Sequence, residues 1–195
     1  MASQPRTFLT PEQYLAIERA AAYKSEYYAG EMFAMSGARE PHNLITVNLI
    51  TELRRQLRHG ACRVYMSDMR VRANASGLYT YPDATALCGT PQFLDDVRDT
   101  LLNPNLIAEV LSPSTEAYDR GRKFEHYRTI ESLREYLLVS AERVSAELFT
   151  RQADSRWLLS AATNREDVLD LQSVGCRVAL ADLYEDVDLS AAARL

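Results

Sequence analysis

No run of apolar residues in this 195-residue chain approaches the ~20 needed to cross a bilayer, so nothing in it reads as a membrane span. Its first ten residues lack a basic stretch leading into an apolar one, and no secretory leader is expected. Cysteine is scarce. Cys62, Cys88 and Cys176 are scattered without metal-ligand spacing and read as reduced core thiols of a cytoplasmic protein. There is no internal repeat and no low-complexity linker, so the simplest division is a single domain over residues 1–195, large enough for a hydrophobic core. What is present is ordinary for a globular chain, with 47% apolar and 25% charged residues.

Local patterns sketch the elements in order. Thr10-Pro11-Glu12-Gln13 is a helix start, with Thr as N-cap, Pro at the first helical position and Gln at the capping-box position. Two β-prone runs around Ala29-Gly30 predict a hairpin, with Glu26 and Glu31 flanking its turn as exposed acids or as acids at the rim of a site. A helix from Pro41 to about Gly60 carries Ile45, Leu49, Leu53 and Leu57 as its buried stripe. His42, one turn before Ile45, is either a locally bonded terminal residue or one that reaches a cleft and positions water or phosphate. Strand follows over Arg63–Arg72, with a kink near Ser67-Asp68, and again over Leu78–Cys88, with Asp83 in its middle. Thr90–Leu102 is acidic and reads as a solvated connection.

The chain is organised around Asn103–Tyr127. Leu106–Leu111 is a short apolar run, punctuated by Pro104 and Ser112-Pro113, that reads as a buried strand with Glu109 inside it. Burying an ionised carboxylate costs several kcal/mol unless a cation, a metal or a hydrogen-bond network compensates it, with magnitudes of roughly that order. A helix over about Glu116–Ile130 carries Lys123 and Tyr127 on one face. Glu135–Ser140 is a further strand, and this strand–helix–strand spacing predicts a parallel pair with a right-handed crossover. The expected architecture is α/β (α+β), a mixed central sheet flanked by helices and preceded by a helix and a hairpin.

Tyr81-Pro82-Asp83, Asn103-Pro104 through Glu109 to Thr115, and Asp119, Lys123 and Tyr127 together resemble the PD-(D/E)XK nuclease superfamily, and more closely its Uma-two family of restriction-endonuclease-like proteins. Tyr28-Ala29-Gly30-Glu31, Pro41-His42-Asn43 and Arg134 to Val139 extend the likeness over nearly the whole chain. The resemblance implies a metal-dependent endonuclease. The lysine that the superfamily carries two residues after its glutamate is replaced here by Leu111, and the resemblance implies that Lys123 has taken over its role.

Phosphodiester hydrolysis needs an activated water and stabilisation of a phosphorane, and a divalent metal serves both. Asp83 and Glu109 are the expected carboxylate ligands, with the carbonyl of Val110 as a third that the superfamily likeness supports. Oxygen-only ligation favours Mg²⁺ or Mn²⁺. Lys123 would orient the attacking water or offset charge, with His42 as a secondary residue of the site. The partners expected are DNA and a second copy of the chain. The net charge of −5 requires that positive charge be concentrated locally, and Arg70, Arg72, Arg120 and Arg122 are the expected nucleic-acid contacts. The competing reading is a non-catalytic module of the same fold that binds nucleic acid or protein.

Overall fold

The structure is a computed structural model that describes residues 8–190; residues 1–7, within the stretch expected to carry no leader, and 191–195 lie outside the described residues. Helix α1 (Pro11–Ala20) opens on the expected capping box: Thr10 Oγ1 accepts from the Gln13 N–H, and Gln13 Oε1 accepts from the Thr10 N–H at 2.8 Å. Strands β1 (Ser25–Tyr28) and β2 (Glu31–Ala34) form the hairpin. Its turn residues, Ala29 and Gly30, both have positive φ (50° and 90°), which matches the twist of a two-residue hairpin loop. A Cβ on Gly30 would stand 2.7 Å from Phe8, so glycine is required there twice over. Helix α2 (Glu40–Leu57) buries Ile45, Leu49, Leu53 and Leu57 as expected, but it stops earlier than Gly60, and His59 takes the left-handed conformation (φ 66°).

The two longer strand regions expected next are each divided. β3 (Cys62–Met66) and β4 (Arg70–Ala73) separate at Ser67-Asp68, and β5 (Leu78–Thr80) and β6 (Ala84–Cys88) separate at Tyr81-Pro82-Asp83. Pro82 has no N–H to give a ladder, so the strand breaks there and its halves join different sheets. Asp83 therefore lies at the entry of β6 rather than within a strand. Thr90–Leu102 also differs from the solvated loop expected. β7 (Thr100–Leu101) is buried and pairs in parallel with β4, and Asp99 holds Arg19 at 2.8 Å and Arg70 at 2.9 Å.

The remaining elements are β8 (Leu106–Leu111), β9 (Glu135–Ser140), β10 (Ala146–Arg151) and β11 (Trp157–Ala162), then the hairpin of β12 (Val168–Leu171) and β13 (Cys176–Ala179), and a last helical turn, α5 (Leu180–Leu183). One sheet has the order β2-β1-β5-β4-β7 and the other β11-β10-β9-β8-β6-β3. In the second, β8 and β9 are parallel and the other pairs antiparallel, so the sheet is mixed. Successive side chains of β8 point to opposite faces. Leu106, Ala108 and Val110 pack with the α2 stripe, whereas Ile107 and Leu111 pack with Phe124, Tyr127 and Tyr136. Glu109 falls on the second face.

The connection between β8 and β9 is α3 (Glu116–Tyr118), a π turn (Asp119–Lys123) and α4 (Phe124–Tyr127), instead of the single α-helix to Ile130. Cysteine needs a correction as well. Cys62 and Cys88 stand directly opposite each other on β3 and β6 and form a disulfide, while Cys176 alone is a free, buried thiol among the described residues. Cross-strand pairing, which spacing does not reveal, brings the two sulfurs together. No helix of the described residues is long and apolar enough to cross a membrane.

Candidate active site

The last paired residues of β6 and β8, Ala84 and Ala108, leave Asp83 beside Glu109 on the face covered by the α3–α4 segment. Asp83 is anchored there. Its Oδ2 accepts the Val110 N–H at 2.8 Å, and His42 Nε2, from the first turn of α2, lies 3.2 Å from the same oxygen. His42 Nδ1 is buried with no hydrogen-bond partner. Glu109 is 4% exposed, and its Oε1 accepts the Tyr127 hydroxyl at 2.7 Å and meets Lys123 Nζ at 2.9 Å. Burial pushes the Glu109 carboxyl up to about 8; Lys123 opposes the rise, and the neighbouring Asp119 and Asp83 carboxylates add to it.

Lys123 is the hub. Its Nζ also lies 3.3 Å from Asp119 Oδ1, one turn back on the same segment, and 3.3 Å from Glu26 Oε1, on β1 of the other sheet. Burial disfavours its charge, but Glu109, Glu26 and Asp119 outweigh burial and hold its pKa well above the ordinary lysine value. Glu26 corrects the picture of an exposed hairpin acid: it is 9% exposed, Oε1 accepts from the Thr80 hydroxyl, and Oε2 accepts from the Tyr118 hydroxyl at 3.2 Å. These groups line one cleft of about 680 Å³, whose outer wall includes residues 34–39 and the start of α2. Lys24 also lines it, but its ammonium sits on Asp68 at 3.0 Å.

Three carboxylates, those of Glu26, Glu109 and Asp119, thus share the ammonium of Lys123, and Asp83, held by His42 and the Val110 N–H, adds a fourth negative group to the same low-dielectric cleft. That excess of negative charge, presented by hard oxygen donors, suits Mg²⁺ or Mn²⁺. Asp83, Glu109 and Val110, the residues expected to hold such an ion, all line the cleft. Among the described residues no group of three or more His, Cys, Asp or Glu side chains is arranged as a metal centre, so the fit rests on two carboxylates and a carbonyl.

The arginines expected to touch nucleic acid do not gather here. Arg70 is only 2% exposed; Nε donates to Thr100, an Nη to the Tyr81 hydroxyl, and the other meets Asp99, so it is a buried tie and not a nucleic-acid contact. Arg72 is half-buried over the Tyr79 ring, 5.2 Å from its centroid. Arg120 pairs with Glu116 at 2.8 Å and with Glu147. Arg122 alone of the four is exposed. Of the two readings open for Glu26, exposed acid or rim acid, the structure places it in the cleft, although nothing in the hairpin's alternation distinguishes it from Glu31; its partner Thr80 was not foreseen. The four-residue spacing of Asp119 and Lys123 was the local signal for that pair.

Residues 11–181 match the Uma2 family, described as "Putative restriction endonuclease". The uncharacterised protein slr1290 of Synechocystis is 37% identical over 187 residues, covering 93% of this chain and 94% of that one. A second Synechocystis protein, sll1609, is 38% identical over 152 residues, covering 78% and 86%. A crystal structure from Anabaena variabilis, described as a "putative nuclease belonging to DUF820", superposes with a TM-score of 0.73 at 13% identity, over 89% of this chain and 96% of that one. At that identity the likeness shows a shared fold.

Proposed function

Because this chain belongs to the Uma2 family of restriction-endonuclease-like proteins, we propose that it is a divalent-metal-dependent endonuclease that hydrolyses phosphodiester bonds of DNA. The observation that carries the reading is the convergence of Asp83, Glu109 and Lys123, from β6, β8 and the π turn, on one cleft with an excess of carboxylate. Bound there by Asp83, Glu109 and the Val110 carbonyl, Mg²⁺ or Mn²⁺ would supply a water of lowered pKa and charge to offset the phosphorane. The chain's own groups do the rest. The Val110 N–H and His42 fix the rotamer of Asp83, and Tyr127 fixes that of Glu109. The Lys123 ammonium stands where it can orient the attacking water or stabilise the negative charge that develops on a scissile phosphate. Arg122 and Arg39, both exposed, are the remaining candidates for backbone phosphate contacts.

The test is incubation of the pure protein with circular and linear DNA, single- and double-stranded, and with RNA, in Mg²⁺, Mn²⁺ or chelator. Metal-dependent nicking of closed circles is expected. A non-catalytic module is the second reading, favoured by the closure of Lys123 on Glu109, which neutralises that carboxylate without a metal. Absence of cleavage with every metal and substrate selects it.

We also propose a homodimer that covers the edge strand β2, where Phe33 is half exposed. Sedimentation as a monomer at micromolar concentration overturns that assignment.

A further inference from the structure

Glu26 is the one acid of the site that comes from the other sheet, and the metal-centred reading gives it no task. Both of its oxygens are already engaged: Oε1 by the Thr80 hydroxyl and Lys123, Oε2 by the Tyr118 hydroxyl at 3.2 Å. A carboxylate held at both ends is not free to swing onto a metal beside Asp83. It is well placed for something else. Lys123 Nζ now occupies Glu109 Oε1 at 2.9 Å, an oxygen already taken by the Tyr127 hydroxyl, so ammonium and divalent cation compete for the same carboxylate. The ammonium is nearly as close to two other acids, Glu26 and Asp119, at 3.3 Å each.

We propose that Glu26, assisted by Asp119, is a positioning residue that receives the Lys123 ammonium when a divalent cation takes Glu109. Paired with Glu109 at 2.9 Å, Lys123 serves as a placeholder cation for that carboxylate. When the metal arrives, the ammonium shifts its weight to Glu26 and Asp119, releases the Glu109 oxygen and remains at the edge of the site, still charged. No bond is made or broken and no proton leaves. Without Glu26, Lys123 would keep a stronger hold on Glu109 and oppose metal entry. Hydrogen-bond partners one step outside a metal's own ligands alter its affinity by about 10–100-fold, and the effect expected here lies in that range.

The inference rests on the metal-site reading above, and the experiment separates the two. Mn²⁺ affinity is measured by calorimetry on the full chain for the wild type, Glu26→Gln, Lys123→Gln and the double variant. Glu26→Gln should weaken Mn²⁺ binding about tenfold or more while Lys123 is present, and should have little effect in the Lys123→Gln background. Equal weakening in both backgrounds makes Glu26 a direct ligand or a purely structural residue, and overturns the proposal. So does unchanged affinity in both. No Mn²⁺ uptake by the wild type overturns both this inference and the metal-site reading. If Lys123→Gln does not fold, acetic anhydride labelling of Lys123 followed by mass spectrometry replaces it. Mg²⁺ should speed labelling in Glu26→Gln, where the ammonium has lost a seat, and leave the wild type slow. Equal Mg²⁺ effects on the two proteins overturn the assignment.

Discussion

Lys123→Ala should slow cleavage by about 10²–10³, the usual cost of losing one transition-state stabiliser, while Mn²⁺ binding measured by calorimetry survives. Lys123→Arg should not rescue, because a planar guanidinium does not fit a seat shaped by three carboxylates around a compact ammonium. Cleavage at the wild-type rate by Lys123→Ala would remove the lysine from the mechanism. Asp99 supplies the acid-stability prediction. Hydrogen bonds from the Arg19 guanidinium hold its carboxyl below the usual range against the opposing effect of burial, and Arg70 adds to the pull. A carboxylate whose folded pKa lies below its unfolded value contributes stability above the unfolded pKa, about 3.9, and loses it as pH falls toward the folded value. Asp99→Asn should therefore cost about 1–3 kcal/mol at neutral pH and flatten the fall of melting temperature between about pH 4 and 2. An unchanged acid limb would assign that limb to other carboxylates. Glu109 was legible because a charge inside an apolar strand demands compensation, whereas Asp83, expected within a strand, sits at the mouth of one because Pro82 breaks the ladder. The task of Asp99 was not legible, since its partners Arg19 and Arg70 lie far off in sequence and leave no local period.

The disulfide and the π turn are features of elements. Cys62 and Cys88 close a loop with a sequence separation of 26 between β3, an edge strand, and β6. In the chain-entropy account a loop of that length stabilises by about 3–4 kcal/mol. Reduction, or Cys62→Ser, should lower the melting temperature by a similar amount in each case, and reductant should have no further effect on the variant. Thiol spacing alone could not foretell the pair, because it depends on the β3–β6 register. The π turn, Asp119–Lys123, likewise escaped the 3.6-residue pattern, which fits an α-helix equally well. Gly121 sits within it with nothing near its Cβ position, so no side-chain contact depends on a glycine there. Deleting Gly121 should convert the turn to α-helix and shift the flank bearing Lys123 and Tyr127 relative to Asp119 by a fraction of a turn. Lys123 and Tyr127 would then no longer face Glu109 together with Asp119. Loss of cleavage with a folded far-ultraviolet spectrum is the expected outcome, whereas a fully active deletion variant would show that the turn has no part in aligning the site.

On the scale of the whole molecule, two of the chain's crossings between its larger sheets fall at Ser67-Asp68 and at Tyr81-Pro82-Asp83, and the cleft opens beside the second of these. The mixed sheet around β8 and β9 was readable from strand–helix–strand spacing; the division into two sheets was not, because each half of a broken strand looks locally like one continuous strand. An acidic chain whose expected basic contacts are largely buried or paired should retain DNA poorly in chelator. Filter binding at moderate salt should show affinity rising with Mg²⁺ or Ca²⁺, and tight metal-free binding would contradict the charge argument. The contact of Glu26 on one sheet with Lys123 above the other also bears on when the cleft is assembled. During synthesis the hairpin bearing Glu26 leaves the ribosome long before β8 and the π turn, and Lys123 lacks one of its three acids until the two have folded together. A chain caught half-made, or half-unfolded by heat or a protease, holds only fragments of the cleft. The whole cleft, and with it the activity proposed, exists only once the two larger sheets have folded together.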